Sequence, residues 1–172
     1  RIYRTIILLC HHNRIMTSPD GDTTKKRAEL TNLVTQETRF QVIQNILAHP
    51  KSLPTLLELE HAIDKSQTTI LGHIETLQNE GIVEKHKLEE AAPDEPSTFF
   101  AVTPYGLSVV DQLGVFDDLG LMREMYAQLD KPEKVQRYEN APRPELASVD
   151  EVQADLEAEL DDLEPDEEVD PA

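Results

Sequence analysis

Positive charge is scarce in this chain: 16 Lys and Arg stand against 34 Asp and Glu, a net charge of −18 over 172 residues. Cysteine is scarcer still. The single Cys10 excludes an internal disulfide and a zinc site built on cysteines. Trp is absent, and aromatics make up only 5% of the residues. The six glycines compose no phosphate-cradling loop, and neither a nucleophile elbow nor an HExxH helix occurs. No catalytic constellation is found, no cofactor site is indicated, and no enzyme is expected. The apolar run at the start, Ile6 to Cys10, is too short to cross a bilayer and lacks the h-region and cleavage site of a signal peptide. No membrane role follows, and a cytoplasmic location is the default.

The acid excess has two sources. Residues 145–172 hold 13 acids and no Lys or Arg, which is a disordered-tail composition, while residues 38–110 still carry 10 acids against 5 basic residues. A domain acidic in its own right fits a salt-rich cytoplasm, where long-range repulsion between like charges is screened.

Along the chain, residues 1–15 are basic, apolar and free of acids, unlike the polar run from Met16 onward. Met16 is expected to be the true start, with 1–34 a polar, disordered leader. A metal site at Cys10, His11 and His12, or a lipidated Cys10, is the competing reading. The first helix is expected from about Thr35 to Ala48 with Phe40, Ile43 and Leu47 inward, ended by Pro50. Next, Thr55 and Glu58 have capping-box spacing before a short helix whose Leu56, Leu59 and Ile63 face inward. After the Asp64-Lys65 turn, Ser66 to Glu80 forms the helix around which the chain is organised. Ile70, Ile74 and Leu77 share one face, and Thr68, Gly72, Glu75 and Asn79 point the other way. Ser66 is its N-cap and Gly81 its left-handed stop.

Two β-prone runs, IVEKHKL and TFFAVT, bracket the turn-rich EEAAPDEPS and are expected to pair as an antiparallel hairpin. Thr103-Pro104 starts a further helix to Leu113, stopped by Gly114. Asp117 is expected to cap one more, in which Leu119, Met122, Tyr126 and Leu129 form an apolar stripe. That stripe either packs on its own domain or pairs with a symmetry mate, and a dimer interface is the expectation. A helical turn around Val135 and Tyr138 follows, then the acidic tail. The fold class is therefore mostly α with a small β-hairpin wing. It divides into a leader (1–34), a domain of helices and the hairpin (35–113), a C-terminal helical extension (114–144) and an acidic disordered tail (145–172).

The order of elements resembles a winged helix-turn-helix domain. Over Leu33 to Leu113, the pieces LVTQETRFQVIQNILAHP, LPTLLELE, SQTTI, HIETL, GIV and FFAVTPYG resemble ArsR-like transcriptional regulators, and those of halophilic archaea above all. The resemblance implies a recognition helix in the major groove of double-stranded DNA and a wing along its backbone. It places Ser66, Gln67 and Thr68 at the DNA, with Gln67 carrying an amide suited to adenine, and Lys65 and Thr69 beside them are further candidates for DNA contact. Leu71 and Gly72 depart from the polar and charged residues common there, and Gly72 costs about 1 kcal/mol of helix stability relative to Ala. His73 is either a packing histidine or a DNA contact. Lys85 and Lys87 are either phosphate clamps or solvated strand residues, and Glu89, Glu90, Asp94 and Glu95 make the wing tip negative. The cysteine pair of metal-sensing ArsR-like proteins is absent, and His49, His61, His73 and His86 lack ligand spacing, so no metal is expected. His49 is read as a favourable charge at a helix C-terminus. The function expected is a sequence-specific, homodimeric regulator of transcription. The alternative is a winged-helix protein-interaction module without specific DNA binding.

Overall fold

A computed structural model describes residues 21–145. The expectations for the first 20 residues, Cys10, His11 and His12 among them, and for the acidic tail after Glu145 lie outside them. Among the described residues seven α-helices accompany one two-stranded antiparallel hairpin: α1 (Gly21–Val34), α2 (Glu37–Ala48), α3 (Leu56–Ile63), α4 (Gln67–Asn79), β1 (Val83–Lys87), β2 (Thr98–Val102), α5 (Pro104–Asp111), α6 (Leu119–Ala127) and α7 (Glu133–Asn140). The mostly helical class with a hairpin wing is the one expected.

The first helix is a correction. Residues 21–34 are helical where a disordered leader was expected, and Val34 is fully buried, with Leu30 and Leu33 packed beside it. All three apolar residues fall in the last turns, after the polar run GDTTKKR, so the segment has no helix-long apolar stripe to betray it.

The local signals farther on hold. Ile43 and Leu47 are buried on α2 as expected, with Phe40 packed at the edge of the core. At α3 the capping box is complete: the Thr55 hydroxyl accepts from the Glu58 amide, and the Glu58 carboxylate accepts from the Thr55 amide at 2.6 Å. Asp64, at φ 55°, turns the chain from α3 into α4. Ser66 caps α4, and Gly81 ends it at φ 71°. The hairpin register runs from Val83 opposite Val102 to Lys87 opposite Thr98. Successive side chains of β2 point to opposite faces, so Phe100 joins the main core while Phe99 packs with Leu53 on the other side. The Phe100 amide also donates to the Pro54 carbonyl at 3.0 Å, which ties the α2–α3 connection to the wing.

Beyond α5 one expectation fails, and one apolar stripe turns out to face its own domain. Asp117 does not cap α6; it lies in a 3-10 turn, Val115–Asp118, that precedes the helix. The stripe assigned to a dimer interface is spent inside the domain. Leu119 and Tyr126 are buried, Met122 packs against the core, and Leu129 lies beyond the end of α6, half-buried. Periodicity shows that a face is covered without showing by what. The Tyr126 ring meets His49 edge-on at 5.6 Å and carries Lys131 Nζ over its face at 4.1 Å.

His49 is corrected as well. It is buried, and its Nε2 lies 3.1 Å from Glu58 Oε1, so it is part of the core rather than a free charge at a helix end. The Lys51 amide donates to Nδ1 at 3.1 Å, which fixes the neutral tautomer with the proton on Nε2. From 85 residues away, Arg143 donates Nη2 to both Glu58 oxygens at 2.8 and 3.0 Å. Its Nε donates to the Leu53 carbonyl, and its guanidinium lies over Phe99. The segment after α6 is thereby clamped to α3, with His61 Nε2 on the Asp130 carbonyl as a second tie.

This cluster is expected to make stability fall in acid. Burial holds the His49 imidazole below its ordinary 6.5, against the opposing pull of Glu58. Burial alone would raise Glu58, but the His49 and Thr55 hydrogen bonds and the Arg143 charge outweigh it, so the carboxyl lies below its ordinary 4.5. In both cases the unfolded chain binds more protons, so stability falls as pH falls: first below 6.5 through His49, then below 4.5 through Glu58. Melting temperature measured from pH 7.5 to 4 is expected to show both declines, and His49→Gln to remove the first. A flat profile between pH 7 and 5 would contradict the neutral buried imidazole.

Candidate nucleic-acid interface

Helix α4 is held by its back. Ile70, Ile74 and Leu77 are fully buried, and Thr68, Leu71, Gly72, Glu75 and Asn79 line the exposed side. Ser66 and Thr69 are tied to each other: Ser66 Oγ accepts from the Thr69 amide at 3.3 Å and shares a hydrogen bond with its hydroxyl at 2.9 Å. Those two hydroxyls serve the cap first. Gln67 is exposed, and its Nε2 donates to Glu60 Oε2 at 2.5 Å, while Lys65 and Thr68 are exposed on either side of that pair.

Leu71 presents 38% of its surface, a large aliphatic side chain in the middle of the outward face. Beside it, a Cβ placed on Gly72 would meet nothing within 4 Å. His73 sits on the flank toward α2, where burial and then the neighbouring Arg39 guanidinium lower its proton affinity below the ordinary 6.5. A neutral, half-buried imidazole of this kind favours the packing role over a cationic phosphate contact. The α4 helix runs through Gly81 into β1 and packs against it. On that strand Lys85 and Lys87 are exposed and share one face, while His86 on the other lies 3.0 Å from Glu84. The expected residues thus sort into one helix with its entry turn (Lys65 to His73) and one wing strand (Lys85, Lys87). Glu89, Glu90, Asp94 and Glu95 are exposed in the loop between the strands.

Two further residues belong to this surface without any signal in the sequence. Glu60 holds Gln67 only because the left-handed turn at Asp64 folds the end of α3 against the start of α4, which no linear pattern states. Arg39 sits on the expected α2 helix, but its neighbour His73 is 34 positions later and shares no motif with it. Among the described residues no three His, Cys, Asp or Glu side chains are grouped to hold a metal ion, and no helix is long and apolar enough to cross a membrane.

No family model and no curated protein matches this chain. Among solved structures, the chain is similar to a protein with a GntR superfamily winged-helix-turn-helix domain from Halomicrobium mukohataei. The two are 27% identical, the alignment covers 77% of this chain and 94% of that one, and the TM-score is 0.67. The likeness supports a winged helix-turn-helix fold, and it does not extend to the ArsR-like subtype.

Proposed function

We propose that this protein is a cytoplasmic, sequence-specific DNA-binding regulator of transcription that acts as a homodimer on double-stranded DNA. One observation carries the reading: α4 buries its apolar face completely and leaves Gln67, Thr68, Leu71 and Gly72 open to an outside partner, with two lysines on the wing strand next in the chain. Base-edge contacts would come from Gln67 and Thr68, a thymine methyl suits Leu71, and Lys85 and Lys87 would take phosphates. Ser66, Thr69 and His73 shape the helix more than they read. The ArsR-like subtype rests on the sequence resemblance alone. The test is selection of genomic fragments by residues 16–172 in molar potassium chloride with competitor DNA. A short, roughly palindromic site supports a dimeric regulator. No enrichment from folded protein would shift the weight to protein interaction through Leu71 and the acidic wing.

Two expectations attach to this reading. Lys85→Ala and Lys87→Ala should weaken binding to all sequences alike and lower the salt dependence by about one counterion for each phosphate no longer engaged. Weakening confined to the preferred site would refute the phosphate role. For the homodimer, Leu119, Met122 and Tyr126 are already covered by their own domain, and the open face of α6 is the opposite one, where Leu121 and Met125 are 60% and 63% exposed. Leu121→Glu with Met125→Glu is expected to halve the mass found by light scattering while leaving the melting temperature in place. An unchanged dimer mass would place the pairing surface elsewhere.

A further inference from the structure

We infer that Glu60 is a specificity-determining positioning residue, which fixes the side-chain amide of Gln67 in the orientation that reads adenine. The inference rests on the DNA-binding reading and adds to it a residue that touches no base. A carboxylate accepts and does not donate, so the 2.5 Å contact from Gln67 Nε2 to Glu60 Oε2 settles which end of the amide faces α3. One N–H is used there. The second N–H and Oε1 make no other hydrogen bond among the described residues, and both stay available on an exposed side chain. The major-groove edge of adenine offers an acceptor at N7 and a donor at N6, and its bidentate partner must bring one N–H and one carbonyl oxygen side by side. Only the N–H cis to Oε1 lies beside it, so with the trans N–H on Glu60 the Gln67 amide presents that pair already set, whereas a free amide would have to be ordered on binding.

The choice of a carboxylate has a cost. A negative charge next to the reading side chain repels phosphates, so Glu60 weakens binding to every sequence while sharpening the choice among them. A glutamine at position 60 would carry no charge and, able to donate or accept, would hold the Gln67 amide either way round. The two consequences of removing the charge therefore have opposite signs, and no purely structural role of Glu60 would produce both.

The experiment uses the full chain and the site selected from genomic fragments. Affinities are measured for that site, for versions with each of its adenines replaced, and for random duplex. The proteins are wild type, Glu60→Gln, Glu60→Ala, Gln67→Ala and the Glu60→Ala/Gln67→Ala double variant, each checked for an unchanged melting curve. Because both Glu60 variants alter a half-exposed position, the failure of one to fold leaves the other as the test. Expected are tighter binding of both Glu60 variants to random duplex and a fall of up to roughly tenfold in discrimination at one adenine, the size set by the cost of ordering one side chain on binding and smaller than the loss in Gln67→Ala. In the Gln67→Ala background, removing Glu60 should change discrimination no further. Tighter binding with discrimination intact would overturn the inference and leave Glu60 a repulsive charge only. A selected site whose preference survives Gln67→Ala would overturn it too, with DNA recognition still standing. A wild type that selects no site would remove the DNA-binding reading itself, and the inference with it.

Discussion

Replacing Arg143 by Ala is expected to destabilise the domain by about 3–5 kcal/mol, the cost of stripping one partner from a buried ion pair. The Glu58 side chain is 0% exposed and that of Arg143 3%, so water cannot take the place of the guanidinium. Five hydrogen bonds to protein acceptors would go at once: two to Glu58 and one each to the carbonyls of Leu53, Glu139 and Ala141. Lys in its place can satisfy one or two of these and cannot span the fork, so Arg143→Lys should recover only part of the stability. In a domain of this size the destabilisation corresponds to a fall in melting temperature of roughly 10 °C or more. Adding Glu58→Gln to Arg143→Ala should restore much of it, because the stranded charge is removed and Gln still completes the capping box with Thr55. The same argument sets a boundary for truncation: a chain ending at 144 should melt like the full chain, and one ending at 140 like Arg143→Ala. A shift of only a degree or two on Arg143→Ala would mean that the clamp contributes no stability.

That clamp also marks where legibility in the sequence ends. Thr55 with Glu58, Ser66, Gly81 and the Thr103-Pro104 start are features of three or four adjacent residues, and each is readable because its geometry is local. Glu58 is legible as a cap while its larger role is not, since its carboxylate also answers to a residue 85 positions away. The stripe Leu119, Met122, Tyr126 correctly indicates a covered face, yet the cover is α2 and His49 of the same chain. Helix α1 is hidden because its apolar residues crowd into its last turns. On the outward side of α4 the exposure of Gln67, Thr68 and Leu71 is legible and the contact of Gln67 with Glu60 is not, for the same reason: contacts across a turn depend on its geometry, and composition does not record it.

Gly72 is where stability and function are expected to move in opposite directions. Other glycines here answer to the fold: Gly81 takes φ 71°, and a Cβ on Gly106 would overlap the Ile82 carbonyl and a Val102 methyl. Gly72 lies in the interior of a helix, with nothing within 4 Å of the place a Cβ would occupy. Gly120, at the start of α6, is the other so placed among the described residues. Left to its own fold, the chain would be better served by Ala, by about 0.8–1 kcal/mol. Gly72→Ala is therefore expected to raise the melting temperature. If the outward face of α4 enters a groove, the same methyl group stands where the DNA must come close, and binding weakens. Gly72→Leu, still compatible with the helix, should reduce affinity about tenfold or more, which corresponds to about 1.4 kcal/mol or above. The pairing of signs is the informative part. A stabler protein that binds less well identifies the surface that meets the DNA, because a variant that damaged the fold would lose both together. If Gly72→Leu bound the selected site as tightly as wild type, no partner would approach α4 at that position, and the reading surface would have to be sought nearer Lys65 and the wing.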